Sequence, residues 1–139
     1  MTEAPPATFS EPILIVAFNR PDRVHELIDT LRAVSPVEIY FAVDGPRPGI
    51  ETDADLVEQT RGCVEMIDWD CQIHTRFLSD NWGCGRAVSS AIDWFFTHVE
   101  RGIILEDDVS PGKQFFTFCS ELLDRYENDD RVFAISGCN

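Results

Sequence analysis

Short apolar runs of strand character alternate along this chain with longer segments of helical period, and that alternation restricts the fold more than any other feature. Ile13 to Phe18 is a continuous apolar run, as a strand buried on both faces requires. Pro21 can open a helix because its missing N–H is not needed there, and Val24, Leu27, Ile28 and Leu31 then form one apolar stripe. Glu38 to Val43 reads as a second strand, closed by the turn signal Asp44-Gly45-Pro46. Helical spacing returns from Asp53 to Ile67 through Val57, Thr60 and Val64, and a more polar third strand spans Cys71 to Leu78. Past Gly83 and Gly85, Val88, Ala91, Ile92 and Phe95 supply the buried side of another helix. Gly102 to Leu105 is a fourth strand with Glu106-Asp107-Asp108 at its end. Phe115, Phe118, Cys119, Leu122 and Tyr126 mark the next helix, and Val132 to Ser136 reads as a fifth strand.

Strands and helices in this order imply right-handed crossovers and a mainly parallel sheet with helices on both faces, an α/β fold of three αβα layers. At 139 residues, 44% of them hydrophobic, the chain is one domain with enough apolar surface for a core. Met1 to Ser10, rich in Pro, Ala and Thr, is expected to be a flexible lead-in, leaving residues 11–139 as the domain. Only Gly137-Cys138-Asn139 follow the fifth strand, an abrupt stop that is the expectation for a truncated chain.

A formal net charge of -14 excludes a nucleic-acid surface, which needs clustered Lys and Arg. It does not exclude a phosphate-bearing small ligand, because a divalent cation on carboxylates can reverse the local field. Cys63, Cys71, Cys84, Cys119 and Cys138 form no C-x-x-C pair and fit neither a disulfide framework nor a zinc site. They read as reduced cysteines packed as small hydrophobes. No apolar run approaches the roughly 18 residues of a membrane span, and the first residues lack a signal-peptide pattern. The expected compartment is the cytoplasm, with peripheral contact at the inner membrane left open. His25, His74 and His98 lack ligand spacing and read as structural.

In open parallel sheets, ligands bind outside the carboxyl ends of the strands. Polar residues fall at those ends here: Asn19 and Arg20 after the first strand, Asp44 after the second, Asp80-Asn81 after the third, and the three acids after the fourth. Adjacent carboxylates at a strand end repel one another and favour a cation; Mg²⁺-like ions take one or two of them and complete their shell with water and phosphate. Side chains alternate along a strand, so Glu106 and Asp108 can face one way and Asp107 the other. The same three acids also suit a solvated turn leading into the helix after Pro111. Asp44 is either a turn residue or an acceptor for a nucleobase N–H. Arg20, at a helix start, is placed for a diphosphate or for solvent. Arg86, in Asn81-Trp82-Gly83-Cys84-Gly85-Arg86, has the same two readings, and Trp82 either covers a ligand or packs on its own helix.

Read together, ILIVAFNRPDRVHELIDTL, NWGCGRAVSSAIDWFF and RGIILEDDVSPGKQFFTF resemble the GT-A glycosyltransferases, built on a Rossmann-like nucleotide-binding sheet. The E-D-D block with its apolar lead and following Pro and aromatics is most similar to the N-acetylglucosaminyltransferases that initiate complex N-glycans. The small-residue helix before it is similar to the broad family-2 sugar transferases. The resemblance runs from Glu11 to Asn139. It implies transfer of a sugar from a UDP- or GDP-sugar to a saccharide, lipid-linked or protein acceptor, with Mn²⁺ or Mg²⁺ at a DXD-type motif. It assigns Asp108 to the metal, Asp107 as a second or water-mediated ligand, and Asp107 and Glu106 to ribose and donor sugar. Asp44 would meet the base, Arg20 the phosphates, and Arg86 the diphosphate or sugar; Asn19 belongs to the same substrate-binding edge. The general base and the acceptor site would lie beyond Asn139, so this chain is expected to be the donor-binding half. Rival readings are a nucleotide-binding or receiver-like module without transfer, and a phosphatase of the haloacid-dehalogenase type. A receiver-like module wants paired acids after the first strand, where Asn19-Arg20 stands, and the phosphatase wants D-x-D after an early strand, whereas the acids here are Glu106-Asp107-Asp108 on the fourth.

Overall fold

A computed structural model of the chain describes residues 8–137. Four strands alternate with four helices: β1 (Ile13–Ala17), α1 (Pro21–Arg32), β2 (Glu38–Val43), α2 (Glu51–Gly62), β3 (Gln72–Phe77), α3 (Cys84–Phe96), β4 (Ile103–Glu106) and α4 (Lys113–Arg125). All pairings are parallel and the strand order is β3-β2-β1-β4. The Rossmann-like α/β architecture expected from the alternation is therefore present.

β1 and β2 hold the centre of the sheet, which is why their side chains are apolar on both faces. On one face Ile13, Ile15, Ile39, Phe41 and Leu105 meet Leu27, Ile28 and Leu31 of α1, Val57 of α2 and Phe116 of α4. On the other face Leu14, Val16, Tyr40 and Ala42 meet Ala91 and Phe95 of α3. Edge strand β3 is polar because it is half exposed. No helix among the described residues is long and apolar enough to cross a membrane.

Several boundaries differ from the sequence reading. Met1 to Ala7 of the expected lead-in lie outside the described residues, but Phe9 is docked rather than loose. It pairs with Pro36 in a parallel bridge and packs edge-on against Phe116 at 5.6 Å. The second helix begins at Glu51 and passes into a 3₁₀ turn, Cys63–Met66, instead of continuing to Ile67. Gly85 lies inside the first turn of α3, and Gly83, at φ 79°, is the residue that lets the chain enter it. The inward face of α4 is Phe116 with Cys119 and Leu123, whereas Phe118 points to solvent.

The fifth strand is absent among the described residues. Val132 to Ser136 is irregular, and the Phe133 side chain is wholly exposed. A β-prone run becomes a strand only where a neighbour accepts its ladder, and β4 pairs with β1 alone. Gly137 comes back against α4, where a Cβ would fall 2.5 Å from the Phe115 ring. The four described cysteines are free thiols, and Cys138 lies outside the described residues.

Candidate functional site

The parallel arrangement brings the carboxyl ends of β1, β2 and β4 to one edge, and a cavity of about 540 Å³ opens there. Asn19, Arg20, Asp44, Glu106 and Asp107 all contribute to its walls, as do Arg47, Asn81 and the first residues of α3. Six of the polar residues singled out at the strand ends, Asn81 among them, thus share a single cleft. Asp108 and Arg86 are not on its lining: Asp108 stands at the rim beside Arg20, and Arg86 lies over Trp82.

The three acids at the end of β4 divide as strand alternation requires, Glu106 and Asp108 exposed and Asp107 buried at 3% exposure. Asp107 faces Arg20 in a forked pair, Nη2 donating to Oδ1 at 2.5 Å and Nε to Oδ2 at 3.3 Å. Arg20 Nη1 also lies 3.6 Å from Asp108. Burial pushes the Asp107 carboxyl above its ordinary value, and Arg20 opposes this without cancelling it. Burial alone would lower Arg20, but Asp107, Asp108 and Glu106 outweigh that and raise it. The phosphate donor expected of Arg20 is thus already committed to a carboxylate.

Asp44 is the second anchor. Its Oδ1 accepts the backbone N–H groups of Gly45 at 2.8 Å and Trp82 at 2.9 Å. Its Oδ2 accepts the N–H of Gly83 at 3.1 Å and the amide of Asn81 at 3.2 Å. Two donors on each oxygen fill the lone-pair sites of a carboxylate. The nucleobase contact expected of Asp44 therefore has no acceptor left to use; Asp44 instead ties the end of β2 to the loop that opens α3. Gly45 permits this junction, because a Cβ there would sit 2.4 Å from the Asp80 carbonyl carbon.

Asn19 is likewise engaged, donating to Asp53 Oδ1 at 3.0 Å. Asp53 is 1% exposed and also receives the backbone N–H, Nε and Nη2 of Arg47 at 3.1, 2.6 and 2.9 Å. The guanidinium of Arg47 lies 5.6 Å from the Phe18 ring at the cleft wall. Neither Arg47 nor Asp53 was picked out by reading strand ends. The available signal was an acid on an apolar stripe: Asp53, Val57 and Thr60 share the buried face of α2.

What remains open to a ligand is the N-terminus of α3. Gly83 and Cys84 line the cavity, the helix has no side-chain cap, and no acid stands in its first turn. Such an end offers unpaired N–H groups and a positive dipole end, which suit an anion. Among the described residues no group of three or more His, Cys, Asp or Glu side chains could hold a metal unaided. The donor set does fit an ion that takes one or two carboxylates and completes its shell from phosphate and water. Asp108 is half exposed and meets only the outer nitrogen of Arg20, while Asp107 could join only by sharing its oxygens with that guanidinium. The fold and this cleft define an α/β protein with a Rossmann-like sheet and a polar pocket at its carboxyl edge. Compared with known protein families, the sequence matches none.

Proposed function

We propose that the cleft holds the diphosphate of a nucleotide sugar and that the chain is the donor-binding portion of a metal-dependent glycosyltransferase. The observation that carries this reading is convergence: Arg20, Asp44, Glu106 and Asp107, from three strand ends, line one cavity with the uncapped start of α3. Its volume lies in the range of small-ligand pockets. The resemblance of the E-D-D block and its flanks to GT-A enzymes supplies the ligand class.

In such a transfer the bond from the anomeric carbon to the phosphate oxygen breaks, and its electron pair leaves with the nucleoside diphosphate. The acceptor oxygen bonds to that carbon and gives its proton to a base. A divalent cation, Mn²⁺ or Mg²⁺, bound with the diphosphate supplies Lewis-acid stabilisation of the departing charge. Asp108, with Asp107 as the second candidate, would hold it. Arg20, fixed by Asp107, adds positive charge beside the phosphates. The N–H groups at the start of α3 donate to phosphate oxygens, and Glu106 is placed for the ribose or sugar hydroxyls. Asp44 acts by fixing the Asn81–Gly83 loop, and Asn19 by fixing Asp53.

Calorimetric titration with UDP- and GDP-sugars, with and without Mn²⁺, tests the proposal. Binding is expected to need the metal and to fall at least about ten-fold in Asp108→Ala. Binding that ignores the metal, or survives intact in that variant, overturns it.

A further inference from the structure

The chain carries 25 acidic side chains against 11 Lys and Arg, and among the described residues four of those cations, Arg76, Arg86, Lys113 and Arg125, make no ion pair. Arg20 and Arg47, the cations of the cleft, are both ion-paired. Arg76 and Arg86 make no ion pair among the described residues, and they sit together. The Arg86 guanidinium carbon lies 4.2 Å from the centre of the Trp82 indole and that of Arg76 lies 5.6 Å from it. Arg76 Nη1 donates to Ser90 at 3.3 Å, and Arg86 makes no side-chain hydrogen bond among the described residues.

The fold builds this cluster deliberately from three elements. Arg76 pairs with Ala42 across the sheet, on the face that α3 covers. Arg86 and Ser90 are one turn apart on α3, along the side toward β3. Trp82 stands in the loop that Asp44 fixes through the Trp82 backbone N–H, and the two guanidiniums flank its indole. An indole face attracts one guanidinium, but two like charges around one ring repel each other. Most of their N–H donors are unused, and forked donors of this kind match tetrahedral oxyanions. The cleft lies on the other side of this helix start, lined by Gly83, Cys84, Ala87 and Val88.

We propose that Arg76 and Arg86, held around Trp82, form a second binding subsite, outside the cleft, for a tetrahedral oxyanion such as a phosphate ester carried by a ligand. This subsite does not rest on the nucleotide-sugar reading of the cleft. A ligand anion placed there cancels the repulsion between the guanidiniums and takes the donors that no protein group uses.

The test is a titration of the whole chain with inorganic phosphate, followed by indole fluorescence, against sodium chloride at matched ionic strength. A saturable change with phosphate, and none with chloride, is expected, and Trp82→Phe should remove it. Sulfate should compete and acetate should not. Arg76→Gln/Arg86→Gln should weaken phosphate at least about ten-fold, with Arg86→Lys between it and the parent. Arg86 is exposed, so its single variants should keep the parent circular dichroism spectrum. Nucleotide binding in the cleft should stay within about two-fold in all of them. An unchanged phosphate response in the double variant, an equal response to chloride or acetate, or nucleotide binding lost together with phosphate would overturn the proposal.

Discussion

Asp53 and Arg47 are joined by three hydrogen bonds, two from the guanidinium and one from the Arg47 backbone N–H. Asn19 completes the set, so one buried carboxylate ties together the end of β1, the loop after β2 and the first turn of α2. Arg47 holds the Asp53 carboxyl well below the usual carboxylate range, against the pull of burial and with help from Asn19. A carboxyl lowered in the folded state contributes stability above its unfolded value and loses it as pH falls through the folded one. This lock should therefore hold under acid conditions that protonate ordinary carboxylates. Asp53→Asn keeps the shape but removes the charge, and should lower the melting temperature by several degrees at pH 7. The difference between parent and variant should narrow as melts are repeated toward strongly acid pH. A gap that is the same at every pH would show that the charge of Asp53 contributes nothing.

Asp44 makes a different prediction because its partners are mostly backbone. Asp44→Ala leaves the N–H groups of Gly45, Trp82 and Gly83 without acceptors, at a cost of about 2 kcal/mol or more. The damage should be local as well as global. Amide hydrogen exchange should quicken at Trp82 and Gly83 well before it does in β1, which lies in the core. Equal protection of Trp82 in parent and variant would rule out the anchoring role.

Much of this was legible in the sequence, and the reasons are physical. Central strands and amphipathic helices are set by burial patterns that the residues carry locally, so β2 fell where its apolar run ends. The common edge for Asn19, Arg20, Asp44 and Asp107 followed from parallel topology alone. What could not be read was pairing across the cleft. Nothing local says that Arg20 binds Asp107, or that Arg47 binds Asp53, since each contact depends on how loops close. The expected fifth strand failed for the same reason: Val132 to Ser136 has the right residues, but strand formation is decided by a neighbour.

The face of α4 gives a sharper test, because Phe118, one of the residues that marked this helix in the sequence, points outward while Phe116, which did not, points inward. Phe116 is 1% exposed and packs beneath Phe9 and the sheet, whereas Phe118 is 47% exposed. Phe116→Ala should cost about 3–5 kcal/mol, the range for emptying a buried aromatic site. Phe118→Ala should change stability by less than about 0.5 kcal/mol, as for an ordinary surface position. Denaturant midpoints of the two variants decide the matter, and similar losses in both would place the inward face elsewhere.

Tyr40 should contribute to a loss of stability at alkaline pH. Its ring is 2% exposed and stacks on His74 at 4.3 Å, and its hydroxyl donates to Glu38 at 2.8 Å. Burial, helped by the hydrogen bond to Glu38 and by its negative charge, pushes the phenol from 10.0 to about 12. An acid raised in the folded state favours unfolding as pH climbs, since the unfolded chain ionises first. The contribution is unchanged below pH 10, and stability is lost progressively from there toward 12. Tyr40→Phe keeps the ring packing and removes the ionising group, at the expense of the Glu38 contact. The variant should be the less stable protein at pH 8, yet its melting temperature should fall less between pH 9 and 11. Parallel curves for the two proteins across that interval would mean that Tyr40 ionises as freely as in the unfolded chain.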